Sequence, residues 1–246
     1  MGSLRSGLLA MILLVPALNA GVILSQGFDD ISTLAAAGWT TVNNSAPAGV
    51  TNWYQGDPAI FNSETGAPNS YVAANFEAAA FSGNISLWLL SPVITLDNGV
   101  AISFFTRTET SWVAADRLEL RASVNGASGN VGASDTSVGD FTTLLLTINP
   151  ALTVSGYPNA WTQFTAILSG LGGPVSGRFA FRYLVPDTSV NGDIIGIDTV
   201  TATSPASVPE PSSLHLGLLG LGSLAAINRR RGRISLFPKG DSRDNK

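Results

Sequence analysis

The sequence contains no cysteine among its 246 residues. Disulfide bonds, thiolate zinc sites, iron–sulfur clusters and cysteine nucleophiles are therefore excluded. Histidine and lysine are also missing between residues 21 and 204, since the single histidine is His215 and the lysines lie beyond it. We call residues 21–204 the body. Without these residue types it has no Ser-His-Asp triad, no Schiff-base lysine and no histidine-ligated zinc.

Charge is scarce as well, at 12% of residues against 45% hydrophobic. Between residues 21 and 204 there are fourteen Asp and Glu against five Arg, a balance of −9. A body this acidic repels polyanions, so nucleic acid is excluded as a partner. Divalent cations and neutral or cationic glycans suit it better.

The N-terminus has the three parts of a secretory signal peptide. Arg5 precedes an apolar run from Leu8 to Val15, and Ala17 to Ala20 supplies small residues for cleavage. This order predicts a helical signal peptide over residues 1–20 and an exported protein. The alternative is an N-terminal core element.

The C-terminus predicts a membrane anchor. An apolar span over 212–228 is followed by a basic cluster at 229–233. Its uninterrupted part, Leu214 to Ile227, is about 21 Å long as a helix, short for a hydrocarbon layer of roughly 30 Å. Arginines in this position stay cytoplasmic, so we expect a short transmembrane helix with the body outside.

A motif precedes this span. Val208-Pro209-Glu210-Pro211, a glycine- and leucine-rich stretch and Arg229-Arg230-Arg231 follow one another in that order. The arrangement resembles the PEP-CTERM sorting signal. The resemblance implies that an exosortase processes the Pro-Glu-Pro region and passes the protein toward the surface or the exopolysaccharide. A plain membrane anchor is the alternative.

The residue pattern of the body predicts β-strands. Leu118 and Leu120 alternate with Arg117 and Glu119. A separate segment with Phe179 and Phe181 has the same period of two. Such alternation is typical of half-buried strands, and turn pairs such as Asn-Gly separate the segments. We predict an antiparallel jelly-roll β-sandwich over 21–203, followed by a linker and sorting signal over 204–246. The expected strands are 22–28, 70–74, 100–107, 116–124, 141–148, 160–168, 176–183 and 193–203, with Leu118, Leu120, Phe179, Phe181 and Ile197 in the core.

Short segments spread over the body carry a second resemblance. They are Gly38-Trp39, Asn52-Trp53, Ser70 to Asn75, Ser86 to Pro92, Phe104 to Arg107, Asp116 to Leu118, Ala180 to Tyr183 and Gly196 to Val200. In this order they resemble the choice-of-anchor J domain and, more distantly, the cleaved-adhesin jelly rolls of surface proteases, which are binding modules. The resemblance implies a β-sandwich and no particular activity.

Asp29, Asp30 and Asp198 are candidate ligands for a structural Ca²⁺. In the distantly similar jelly rolls a Ca²⁺ often ties the first strand to the last, and carboxylates are suitable hard ligands. The alternative is that these aspartates are solvated or cap turns.

Carboxylates are the acid–base groups left for catalysis, and glycoside hydrolysis needs two of them across a cleft. Three pairs of acids are candidates: Asp29 and Asp30, Asp116 and Glu119, and Asp187 and Asp193. Their spacing does not require such a role, and no catalytic residue is assigned.

Exposed aromatic side chains are candidate platforms for sugar rings. Trp53, Tyr54 and Trp112 lie in polar, loop-like surroundings, whereas Trp88 and Trp161 are expected in the core. The sequence therefore favours a non-enzymatic, exosortase-sorted surface or matrix protein associated with exopolysaccharide. A carboxylate-dependent glycan-active enzyme and a structural coat protein without a specific ligand are the alternatives.

Overall fold

The computed structural model describes residues 20–110 and 114–205, and these form an antiparallel β-sandwich. One sheet has the order β11-β8-β13-β5-β4, with β1 also paired to β13. Its strands are β1 Val22–Gln26, β4 Tyr54–Gln55, β5 Val72–Asn75, β8 Ala101–Thr108, β11 Thr162–Ile167 and β13 Ile194–Thr203. The prediction of an all-β jelly-roll sandwich is confirmed.

The second sheet has the order β10-β9-β12-β6-β2, with β3 also on β6 and β7 on β12. Its strands are β2 Thr40–Asn43, β3 Ala46–Ala48, β6 Ala79–Leu90, β7 Ile94–Leu96, β9 Leu118–Ser123, β10 Thr143–Ile148 and β12 Val175–Val185. We call this the second sheet throughout.

The core lies between the sheets and contains the residues expected from the period of two. Leu118, Leu120, Phe179, Phe181 and Ile197 are all buried. The Phe181 ring packs edge to face against Phe104 with centroids 4.8 Å apart. Burial of each large apolar side chain stabilises the fold by about 1.5–3 kcal/mol.

The second half of the long strand β6, Ile85 to Leu90, is buried on both faces, which the alternation analysis did not anticipate. Leu87 and Leu89 face the main core, whereas Trp88 and Leu90 face a second, smaller cluster. The connection between β9 and β10 folds over this outer face and contributes Phe141. A strand covered on both sides has a continuous apolar sequence, so period two cannot reveal it.

Helix is minor among the described residues, which contain two 3₁₀ turns, Ile31–Thr33 and Phe76–Ala78. No helix in this part of the chain is long and apolar enough to span a membrane. The predicted signal helix and C-terminal transmembrane helix fall almost entirely outside the described residues.

The sandwich has two distinct ends. At one end Val22 pairs with Thr203, and the chain continues from there toward its C-terminal segment. At the other end Ile194 pairs with Asn75. The ten residues of β13 separate the two ends by about 30 Å. We call the loops at the second end, residues 76–84 and 186–193, the tip.

Candidate functional site

Of the three aromatic residues predicted to form a glycan platform, the structure describes Trp53 and Tyr54. Trp53 is 7% exposed and packs in the main core, so the expectation that its ring is open to solvent is wrong. Tyr54 is half-buried against the Phe61 and Tyr71 cluster, and this burial raises the pKa of its hydroxyl. Trp112 lies outside the described residues.

The three predicted calcium ligands have different local roles. Asp30 caps the first 3₁₀ turn, accepting hydrogen bonds from Ser32 N at 2.9 Å and Ser32 Oγ at 2.6 Å. These bonds lower the pKa of its carboxyl. Asp30 therefore takes the turn-capping role that was the alternative interpretation.

Asp198 lies at the centre of a more unusual arrangement. Its carboxylate is fully buried and accepts hydrogen bonds from the backbone N–H groups of Glu64, Thr65 and Thr199 at 2.6–3.2 Å. Burial raises its pKa to about 6 against the lowering effect of these bonds. Asp198 thus ties the last strand to the loop that precedes β5.

Asp29 approaches the same loop, because a Cβ placed on Gly66 would lie 3.0 Å from its Oδ1 atom. Among the described residues, however, no three histidine, cysteine or acidic side chains lie together as a metal site. The three aspartates are therefore not brought into one cluster, and Ca²⁺ binding stays a prediction.

Asp116 and Glu119, one of the candidate catalytic pairs, point to opposite faces of the second sheet. Asp116 faces inward, where it accepts a hydrogen bond from Tyr183 Oη at 2.6 Å. Glu119 faces outward, where Arg121 Nε lies 2.7 Å from its Oε2 atom. Asp187 is exposed in the tip and bonds to Ser189. None of these three residues shares a cleft with its assigned partner.

A different pair of carboxylates is brought together. Asp193 donates a hydrogen bond from its backbone N to Asp116 Oδ1 at 2.9 Å, and both side chains are buried. Desolvation raises the pKa of Asp116 to about 6 and that of Asp193 to about 7, the latter helped by the charges of Asp116 and Glu109.

Asp116 has an evident structural role. Its carboxylate joins Thr108 of β8 and Tyr183 of β12, while its backbone oxygen accepts a bond from Asn149 at 2.8 Å. Because Asp116 is fully buried and its oxygens are already bonded, it offers no free atom to a substrate. Because the carboxyl groups of Asp116 and Asp193 are both buried with raised pKa values, their protonation affects the stability of the fold.

The tip carries the most unusual aromatic residue. Phe81 is 94% exposed, and its backbone has φ +52°. The left-handed conformation is unfavourable for a bulky L-residue, and a fully exposed Phe gains nothing from packing. Its position is held by Thr188, whose Oγ1 donates to Phe81 O at 2.6 Å and whose N donates to Gly83 O at 3.0 Å.

The tip presents further apolar and polar groups, and Thr188 connects the Phe81 segment to them. Phe76 and Val190 are 44% and 64% exposed. A cavity of about 260 Å³ lies beside them and is lined by Phe76, Ala114 and residues 188–192. The tip therefore combines exposed aromatic rings with a shallow cavity bearing the hydroxyl and amide groups of Ser189 and Asn191.

Sequence reasoning missed Phe81 because it continues the apolar run Ala78 to Ala80 at the start of a strand. Its exposure follows from a local irregularity. The pairing of β3 with β6 shifts register between Ala46 and Ala48, which displaces the segment around Gly83. The Ser82-Gly83-Asn84 sequence is the signal for such a bulge.

The comparisons with known proteins identify the C-terminal segment. Residues 207–232 match the PEP-CTERM protein-sorting motif. This chain carries a PEP-CTERM motif. The matched range contains Val208 to Pro211 and Arg229 to Arg231, as predicted, although it lies outside the described residues. The PEP-CTERM motif marks an exported protein that an exosortase sorts to the cell surface.

The sandwich is similar to solved β-sandwich domains. The K1 cleaved adhesin domain of Lys-gingipain from Porphyromonas gingivalis W83 has a TM-score of 0.50 at 20% identity, covering 75% of this chain and 99% of that domain. The K3 domain of the same protein has a TM-score of 0.48 at 20% identity, covering 76% and 99%. At such identity the likeness to K1 shows the fold alone.

A carbohydrate-binding module is also among the similar structures. The CBM22-1 xylan-binding domain of Paenibacillus barcinonensis Xyn10C has a TM-score of 0.38 at 13% identity, covering 78% of this chain and all of that domain. Among curated proteins, none has a sequence significantly similar to this chain.

Proposed function

We propose that the body is a non-catalytic glycan-binding module, which the exosortase pathway delivers to the cell surface and its exopolysaccharide matrix. The observation that carries this proposal is Phe81, an aromatic ring 94% exposed and held in a strained backbone conformation at the tip. Backbone strain of this kind concentrates at ligand-binding sites.

A sugar ring is the ligand that this surface fits. The C–H face of a pyranose packs on an exposed aromatic ring, while its hydroxyl groups need nearby hydrogen-bonding partners. Phe81 and Phe76 offer the rings, and Ser189 and Asn191 lie in the adjoining loop. The tip lies at the end of β13 opposite to Thr203.

The residue inventory supports a non-enzymatic role. The body has no histidine, lysine or cysteine. Its raised-pKa carboxyl groups, Asp116, Asp193 and Asp198, are buried and, for Asp116 and Asp198, bonded within the fold. A hydrolase of glycans needs two acids that reach the scissile bond.

A binding screen tests the proposal. The purified protein is offered its host's native exopolysaccharide and a panel of plant and bacterial polysaccharides, by affinity electrophoresis. We expect retardation by the native polymer that Phe81→Ala clearly reduces. The matched control is Ile167→Ala, which trims an apolar side chain 64% exposed at the other end of the sandwich.

Two outcomes contradict the proposal. Equal retardation of Phe81→Ala and the parent protein removes the tip as the site. Failure of the folded parent protein to bind any polymer leaves the structural coat protein as the remaining function. Release of reducing sugar from the polymer during incubation favours the enzymatic alternative instead.

A further inference from the structure

The few positive charges of the body are concentrated on one surface. Four of its five arginines lie on the outward face of the second sheet. Arg117 directly precedes β9, Arg121 lies in β9, and Arg178 and Arg182 lie in β12. The period of two directs all four to the same side, although the body as a whole has an excess of acids.

Arg182 is a fixed member of this face. It is 2% exposed, its Nε donates to Ser86 Oγ at 3.1 Å, and its guanidinium lies 4.8 Å from the centre of the Trp88 ring. Its Nη1 lies 3.4 Å from Glu119 Oε2, and its Nη2 donates to Asp135 O. Burial lowers its pKa to about 10, so it remains charged at neutral pH.

Glu119 does not neutralise the face. Its one carboxylate is shared between Arg121 at 2.7 Å and Arg182 at 3.4 Å. These are the two ion pairs in the described part of the chain, and Arg117 belongs to neither of them. Asp135 adds a second carboxyl group beside Arg117 and Arg182. Three arginines therefore face two carboxyl groups, which leaves an excess of one positive charge.

Arg117 has an open guanidinium edge. Its Nε donates to Leu184 O at 2.9 Å, and its backbone is held by the bond from Leu184 N at 3.0 Å. Its two terminal nitrogens donate to no acceptor within the described residues. The side chain is therefore anchored at one nitrogen and presents the other two as a planar pair of donors.

Arg117 lies at a cleft of about 220 Å³. The cleft, which we call the arginine cleft, is lined by Asn84, Arg117, Asp135, Thr136, Arg182, Leu184 and Pro186. Asn84 links it to the tip, because Asn84 Oδ1 accepts a bond from Asp187 N at 3.0 Å and its Nδ2 donates to Asp135 Oδ2 at 2.8 Å.

We propose that the arginine cleft binds the carboxylate of a uronic acid residue in an acidic polysaccharide, with Arg117 as its direct ligand. This inference rests on the proposed glycan-binding function and names the class of glycan. A planar pair of N–H donors matches a carboxylate in bidentate geometry. The cleft is smaller than sites for drug-sized ligands, which are roughly 300–1,000 Å³, and so accepts about one sugar ring.

The inference revises the expectation drawn from net charge. A balance of −9 favours neutral or cationic glycans only if charge is spread evenly. Here the arginines are gathered on one face, so a local anion site exists on an acidic body. Duplex nucleic acid, which needs an extended basic surface, still does not fit.

The test compares polygalacturonate with its fully methyl-esterified form, which has the same sugar backbone without the charge. Neutral dextran and dextran sulfate complete the set. We expect the purified protein to bind polygalacturonate at least tenfold more tightly than its ester, with affinity falling as salt rises. We expect Arg117→Gln to lose that preference, by roughly tenfold or more, and Arg117→Lys to keep part of it.

Arg178→Gln is the matched control, since it removes the same charge from the same face. Arg178 does not line the cleft, because its Nη1 donates to Thr40 Oγ1. Equal affinity for acid and ester, or an unchanged preference in Arg117→Gln, overturns the inference. Equal binding of dextran sulfate and polygalacturonate overturns the assignment to carboxylate. Binding of neutral polymers that depends on Phe81 but not on Arg117 overturns the inference alone. No binding to any polymer overturns the proposed glycan-binding function as well.

Discussion

The buried carboxyl pair of Asp116 and Asp193 makes a specific prediction about pH. Both groups protonate more readily in the folded protein than in the unfolded chain, because the fold removes them from water and places like charges together. The folded state therefore binds more protons between about pH 4 and pH 7. By linkage, its free energy of unfolding falls as the pH rises through this range.

The magnitude follows from the Asp193 pKa of about 7, against its ordinary value of 3.8. A tenfold change in proton affinity corresponds to about 1.4 kcal/mol, so Asp193 accounts for a loss of on the order of 4 kcal/mol between pH 4 and pH 8. Asp116 acts in the same direction, with its pKa of about 6. The two titrate as a pair, so the profile reports their joint behaviour.

The perturbation is Asp193→Asn, which replaces the carboxyl by a neutral group of the same shape. We expect the variant to match the parent near pH 4 and to exceed it increasingly from pH 5 to pH 8, with a shallower slope. Urea unfolding followed by tryptophan fluorescence at four pH values measures this. Asp187→Asn, which alters an exposed carboxyl, is the control and leaves the slope unchanged.

A parent protein whose stability is flat or increases from pH 5 to pH 8 would refute the reasoning. Parallel profiles for Asp193→Asn and the parent protein would also refute it. Either result would mean that Asp193 is ionised in the folded state at low pH, as exposed carboxyls are.

Three other predictions concern the tip, the metal and processing. Phe81→Gly relieves the left-handed strain and raises the free energy of unfolding by up to about 1 kcal/mol, while glycan binding weakens; a loss of stability above 1 kcal/mol would show that the ring packs instead. If the predicted Ca²⁺ binds at Asp198, chelator lowers the melting temperature and added Ca²⁺ restores it; an unchanged melt removes the site. Mass spectrometry of surface-extracted protein finds residues 1–20 and everything beyond the Pro209–Pro211 region removed; an intact end at Lys246 shows a plain membrane anchor.

The fold was predictable where one face of a strand is buried. Leu118 and Phe181 alternate with charged residues, and that pattern alone identified them as core. The alternation failed for β6, because the connection between β9 and β10 covers its outer face and Trp88 is as buried as Leu87. Such coverage is a long-range property that no local pattern carries.

The candidate site was less predictable. Trp53 has polar neighbours along the chain, yet its ring turns into the core beside a strand of only two residues. Phe81 is the opposite case. It follows apolar residues along the chain, yet a bulge turns its ring outward. The Asp116–Asp193 contact joins residues far apart in sequence, and it depends on how two loops meet. Local composition cannot determine any of these positions.

The central claim is that the tip binds glycan through the exposed ring of Phe81. Titration calorimetry of the native exopolysaccharide into the parent protein and Phe81→Ala tests it most directly. An aromatic contact is worth about 0.5–1.5 kcal/mol, so the account predicts an affinity roughly three- to tenfold weaker in the variant, with the fold unchanged. An affinity identical in the two proteins would contradict it.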